Sequence, residues 1–247
     1  MVYSLAFLAT AIATANAYVF WPGFEAIPPA HAPYTVALSA DPNGRVTCVG
    51  HLIAPSVVLT TASCLAHSIH YAAVGATVIL NTTNAETIQV AHTVAHPAFD
   101  AATHANDVGL IQLAHPSAAA PVAISWDVVD AYEAATLRGW GQLGDGTKVN
   151  NGLMETSSSV WANTDCAFVY AKVAGPNSIS DSVLCAGGET AQACVGDAGD
   201  ALTILGDDGQ DQLVGLFSWS VECDAEGVPG VFTRLSSVRD FVEPVLI

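Results

Sequence analysis

The side chains of this chain that could do chemistry are six cysteines, eight histidines and a large excess of carboxylates. Cys48, Cys64, Cys166, Cys185, Cys194 and Cys223 are even in number and suit disulfides formed in an oxidising compartment. No Cys-x-x-Cys pair occurs and the histidines do not gather around the cysteines, so neither a metal site nor a cofactor is expected. Asn81-Thr82-Thr83 forms a glycosylation sequon. Six Lys and Arg face 23 Asp and Glu, a formal net charge of −17. Nucleic acid and anionic membrane surfaces are therefore excluded as partners, because no basic surface exists to displace their counterions. Such a charge either favours a cationic partner over long range or serves solubility alone. Two loops, Gly206–Asp211 and Glu222–Glu226, concentrate the acids Asp207, Asp208, Asp211, Glu222, Asp224 and Glu226, with Asp200 nearby.

The elements that must position these groups read as strands. With 247 residues, 51% hydrophobic and 12% charged, the chain has ample material for a packed core. Tyr34–Leu38, Val57–Thr61, Thr77–Leu80, Val108–Leu113, Leu213–Ser218 and Val231–Leu235 are short strand-like runs. Asp41-Pro42-Asn43-Gly44 and Gly206-Asp207-Asp208-Gly209 are turn clusters between them. The pattern predicts an all-β sandwich or barrel. Val238, Phe241, Val242 and Val245 have helix spacing, ended or kinked by Pro244. The apolar run Leu5 to Ile12, followed by Ala15-Asn16-Ala17, predicts a cleaved signal peptide over residues 1–17 and a secreted, extracellular domain over residues 18–247. Past that run no segment is apolar for long enough to span a bilayer.

Six segments, in order, carry a resemblance. Thr60-Thr61-Ala62-Ser63-Cys64 resembles the Thr-Ala-Ala-His-Cys segment of trypsin-like serine proteases. Asn106-Asp107-Val108-Gly109-Leu110 resembles the segment holding that family's buried acid. Cys194-Val195-Gly196-Asp197-Ala198-Gly199 resembles the Gly-Asp-Ser-Gly-Gly-Pro nucleophile loop. Gly139-Trp140-Gly141, Leu184-Cys185-Ala186-Gly187 and Ser218-Trp219-Ser220 match further landmarks. The resemblance implies two six-stranded antiparallel β-barrels, a C-terminal helix, and the disulfides Cys48–Cys64, Cys166–Cys185 and Cys194–Cys223.

That chemistry needs a hydroxyl nucleophile, an imidazole base and an orienting carboxylate. By the resemblance the carboxylate is Asp107, the base position holds Ser63 and the nucleophile position holds Ala198. Two of the three parts are missing, so no catalysis is expected, and Gly196 and Ala198 remain as the remnant of an oxyanion hole. A rescue by His67, His70 or His96 would still lack a nucleophile. A buried Asp107 without an imidazole must find another donor, and Ser63 can supply one. The implied specificity pocket is altered as well: Gln192 stands at its floor and Ser218, Trp219 and Ser220 form its wall, and Ser220 and, just before Cys223, Glu222 bring bulk where the family has glycine. Asp200 and Ala201 replace the Gly-Pro that follows the nucleophile. The activation segment corresponds to Phe20-Trp21-Pro22-Gly23, with no Lys or Arg before it, while Asp197, the partner of the new terminus in the family, is retained.

Within the family, the Ala193-Cys194-Val195-Gly196-Asp197-Ala198 run is most similar to the glucanase inhibitor proteins of oomycete plant pathogens. That resemblance implies a secreted, monomeric, non-catalytic protein acting on another secreted protein, a host plant endo-β-1,3-glucanase, as a virulence effector. The competing readings are a residual serine endopeptidase, against which Ser63 and Ala198 argue, and a decoy for protease inhibitors, against which the narrowed pocket argues. Insect serine protease homologues carry an N-terminal clip domain for which this chain has no room.

Overall fold

The computed structural model describes residues 25–26, 31–42, 44–79, 82–141, 152–175, 178–188, 198–221 and 227–246. The chain begins with a two-residue strand, β1 (Glu25–Ala26), and then builds a first barrel. Its strands are β2 (Thr35–Ser39), β3 (Val46–Ala54), β4 (Val57–Thr60), β5 (Tyr71–Val74), β6 (Glu86–Ala95) and β7 (Gly109–Leu113). They close in the order β2-β3-β4-β7-β6-β5. β2 and β4 are buried along their whole length, and β4 reads Val-Val-Leu-Thr, a mostly β-branched run suited to a strand packed on both sides. Val36, Leu38, Leu52, Leu59, Ile88 and Ile111 fill the interior.

The second half contains β8 (Ala123–Ile124), β9 (Ala134–Gly139), β10 (Met154–Ser159), β11 (Val183–Ala186), β12 (Ala201–Leu205), β13 (Asp211–Trp219) and β14 (Gly230–Arg234). Strands pair in the order β1-β10-β9-β12-β13-β14-β11, and β8 lies parallel to β13 as a side branch. A single bridge between Val160 and Ala186, with Trp161 N–H donating to Cys185 O at 2.8 Å, joins the end of β10 to β11. The six strands from β10 to β11 thereby form the second barrel, closed by one bridge rather than by a full ladder. The β12–β13 hairpin turns where Gly209, at φ +72°, donates its N–H to Gly206 O at 2.9 Å.

The C-terminal segment coils as Leu235–Val238 (3-10), α2 (Arg239–Val242) and Glu243–Val245 (3-10), with Pro244 in the opening turn of the last piece. Val238 and Val242 are buried in the core and Phe241 and Val245 pack partly buried against it, as the spacing of the four predicts, and Leu235 is buried beside them.

Two elements differ from the sequence expectation. Thr77–Ile79 is not a strand; Leu80 lies outside the described residues. Its backbone is spent on the other half of the molecule: Leu153 N–H and Trp140 Nε1–H both donate to Thr77 O, and Val78 makes one bridge to Gly152. A helix, α1 (Asn163–Val173), stands where no helical period is evident, because only Cys166 and Tyr170 turn inward while Phe168 is exposed.

The halves are locked by a polar knot. Arg138 on β9, 8% exposed, reaches Asp211 at 2.9 Å, Glu155 at 2.9 Å, Thr203 Oγ1 at 2.8 Å and the Tyr34 hydroxyl at 3.1 Å. Tyr34, from the first half, donates to Asp211 Oδ2 at 2.8 Å. Asp211 is thus committed to an internal ion pair, and Asp200 is 1% exposed. Neither is the surface charge that the loop composition suggests. Glu222, Asp224 and Glu226 lie outside the described residues.

Candidate functional site

The register between β4 and β7 pairs Thr60 with Gly109. That pairing sets the turn after β4, which carries Ser63, beside the residue two before β7, which is Asp107. The Asp107 carboxylate is fully buried. Its Oδ1 accepts the Ser63 backbone N–H at 2.7 Å. Its Oδ2 accepts the Ser63 hydroxyl at 2.9 Å and the Ser218 hydroxyl at 2.6 Å. Ser63 Oγ also lies 3.0 Å from the Thr61 hydroxyl, and Thr233 Oγ1 donates to the Asp107 carbonyl at 2.7 Å. The donor expected from Ser63 is therefore present, and Ser218 adds a second. Three donors thus satisfy the hydrogen-bonding needs of a carboxylate that is shut away from water.

One imidazole lies near. His104, at φ +55° in the turn that leads to Asp107, places Nδ1 3.5 Å from Asp107 Oδ2. At that separation the pair touches without making a hydrogen bond. The His104 ring leans on Trp219 at 6.3 Å between centroids, and Trp219 packs edge-on against Tyr170 at 5.1 Å. Ser218 and Trp219 of the sequence-predicted pocket wall are thus drawn to Asp107 and to the aromatic layer.

Ala198 presents a methyl group, and its carbonyl accepts Val49 N–H at 3.2 Å. The next residue must be glycine: at φ +100°, a Cβ on Gly199 would lie 2.0 Å from Val49 O. Gly199 O meets His51 Nε2 at 2.8 Å. His51, on β3, is completely buried, and burial drives its pKa down to about 4, so the ring is neutral near pH 7 and Nε2–H is the donor. Cys48–Cys64 and Cys166–Cys185 are bonded, the former pinning the Ser63 turn to β3. Asn81, Gln192, Cys194, Gly196, Asp197 and Cys223 lie outside the described residues, and with them the expected Cys194–Cys223 bond, the glycosylation site and the Gly196 half of the oxyanion-hole remnant. Among the described residues no group of His, Cys, Asp and Glu could hold a metal ion.

The trypsin family pattern aligns with residues 21–242. This chain belongs to the trypsin family. Its relatives include glucanase inhibitor protein 3 of Phytophthora sojae (strain P6497), 31% identical over 232 residues, which cover 89% of this chain and 86% of the relative. Glucanase inhibitor protein 1 of Phytophthora infestans is 31% identical over 222 residues, covering 86% and 83%. Human kallikrein-14 is 28% identical over 223 residues, covering 87% and 79%.

Within this trypsin-family frame, sequence reasoning missed His51 and His104. His104 stands three residues before Asp107, so proximity in the chain was a usable signal. His51 carries none: its partner Gly199 is 148 residues away. No helix among the described residues is long and apolar enough to cross a membrane.

Proposed function

We propose that this chain is a secreted, catalytically inactive trypsin-family protein that acts by binding another protein, inhibiting a host plant endo-β-1,3-glucanase. The observation that carries the inactive part is the environment of Asp107: its oxygens are occupied by the Ser63 amide and the Ser63 and Ser218 hydroxyls. No imidazole makes a hydrogen bond to it, and Ala198 offers no hydroxyl. The buried carboxylate acts as a structural anchor. Loss of the nucleophile or the base alone costs about 10⁶-fold in such machinery. The target is supported by relatives that bear the name glucanase inhibitor and align over most of their length. Secretion, with residues 1–17 as a cleaved leader, is supported by Cys48–Cys64 and Cys166–Cys185.

The test has two arms. The purified protein is exposed to a fluorophosphonate probe and to peptide ester substrates; no labelling and no turnover are expected, and stoichiometric labelling of any serine refutes the inactive reading. In the second arm a plant endo-β-1,3-glucanase hydrolyses laminarin with and without the protein. Slower hydrolysis is expected, and an unchanged rate across a panel of such glucanases refutes the inhibitor reading.

A further inference from the structure

The connection from β8 to β9 and the β12–β13 hairpin flank a cleft of about 290 Å³. Its walls include Ser125, Asp127, Val128, Glu133, Leu205 and Asp207. Two large apolar side chains stand up from it almost fully in solvent: Val128 at 73% and Leu205 at 71% exposure. Val128 also borders a second cleft, of about 380 Å³, in front of Trp161, so it forms a ridge between two depressions. The carboxylates of Asp127, Asp130, Asp207 and Asp208 are exposed around the ridge, and Glu133 is half-buried. No Lys or Arg lines the first cleft. Two cations stand close by: Arg234 lines the second cleft, and Arg239 lies over the Trp126 ring at 5.7 Å, where it is engaged by Glu243 at 2.8 Å and also interacts with Asp127.

The backbone here is held in a costly shape. Tyr132 has φ +68°, a conformation that a bulky aromatic residue rarely adopts. Its N–H donates to Val160 O at 2.6 Å and its hydroxyl to Asp165 Oδ2 at 2.8 Å, while 71% of the residue stays in solvent. The opposing hairpin is also fixed, with Asp208 Oδ1 accepting Gln210 N–H at 2.9 Å. Such preorganisation lowers the ordering cost of binding. Strain kept at an exposed apolar ridge points to use of that surface.

We propose that this face is the docking surface for the protein partner, and that it receives a basic segment in which Lys or Arg alternate with aliphatic or aromatic residues. The apolar members would cover Val128 and Leu205, and the cations would meet the rim of Asp127, Asp130, Asp207 and Asp208. The inference rests on the reading of the chain as a protein-binding inhibitor and assigns where the contact is made. It also separates that contact from Asp107. Gln212, which lines the cleft, and Ser218, which donates to Asp107, are six residues apart on β13. At about 3.3 Å per residue this places the two about 20 Å apart.

Two probes test it: a purified basic plant endo-β-1,3-glucanase, and a synthetic peptide alternating Lys with Leu and Trp, with its Glu-for-Lys counterpart as control. The variants are Val128→Ser/Leu205→Ser and Asp127→Lys/Asp207→Lys, all at exposed positions, with coincident thermal melts as the folding control. The wild-type protein is expected to bind the glucanase and the basic peptide but not the acidic one. The serine pair should raise the off-rate tenfold or more, and the lysine pair should lower the on-rate about tenfold at low salt. Glucanase binding that is unchanged in both variants overturns the docking surface and leaves the inhibitor reading standing. Peptide binding lost in the variants, with no glucanase binding by the wild type, supports the surface and refutes the inhibitor reading. Binding of neither probe overturns both.

Discussion

Buried His51 should make the protein acid-labile in a defined window. Burial lowers its folded pKa from 6.5 to about 4, and the hydrogen bond to Gly199 O only partly opposes this. In the unfolded chain the imidazole takes its proton near pH 6.5. The unfolded state therefore binds more protons between these values, and stability rises with pH across the window. The contribution is fully present above pH 6.5 and is lost as pH falls toward 4. At about 1.4 kcal/mol per pH unit, the loss approaches 3 kcal/mol by pH 4. The assay is urea unfolding of the wild type and of His51→Gln, in which the amide replaces the donor to Gly199 O. Carboxylate protonation affects both proteins alike, so the difference between the two curves isolates the imidazole. Parallel stability curves from pH 7 to pH 4 would refute the argument. His51→Ser serves if the glutamine does not pack, and an NMR titration of His51 in the wild type supplies the direct measurement: the ring should stay neutral down to about pH 5.

The polar knot and the anchored carboxylate give further expectations. Arg138→Met leaves Asp211 and Glu155 without their cation and should cost about 3–5 kcal/mol, lowering Tm by about 10 °C; a calorimetric drop under about 2 °C counts against the knot. Ser63→Ala and Ser218→Ala each remove one hydroxyl from Asp107 Oδ2 and should destabilise by about 1–3 kcal/mol, read by urea melts, with laminarin-based inhibition unchanged in the folded protein. Gly199→Ala drives a methyl to 2.0 Å from Val49 O and should prevent folding or cost more than about 4 kcal/mol; a soluble variant with a wild-type melt would contradict the local geometry.

Much of the architecture could be read because its signals are local. Val57–Thr60 is a buried β-branched run, and the Gly206–Gly209 turn needs a left-handed glycine, so both state their structure in a few residues. The failures occur where a distant group decides. Thr77–Ile79 has strand composition, yet its carbonyl at Thr77 is claimed by Leu153 and Trp140 from the other half, and that cross-connection outweighs local propensity. Helix α1 buries only Cys166 and Tyr170, a stripe too narrow to stand out. Asp200 and Asp211 look like surface acids in a polar loop, but one packs against Gly139 and the other pairs with Arg138.

The site was legible to the same degree, and for the same reason. Ser63 next to Cys64 and Asp107 ahead of β7 could be placed because each lies in a short segment that resembles a trypsin-family landmark, and the need of a buried carboxylate for donors is general. That Ser218 would supply the shortest of those donors depends on β13 crossing from the second barrel, 111 residues from Asp107. The same strand carries the consequence for function. At its Ser218 end the Asp107 carboxylate is buried and already accepts from the Ser63 amide and from the Ser63 and Ser218 hydroxyls. At its Gln212 end the exposed ridge of Val128 and Leu205 keeps apolar surface in water beside exposed carboxylates. Burying an exposed apolar ridge gains free energy at little desolvation cost, so a partner gains more there than by entering the closed environment of Asp107.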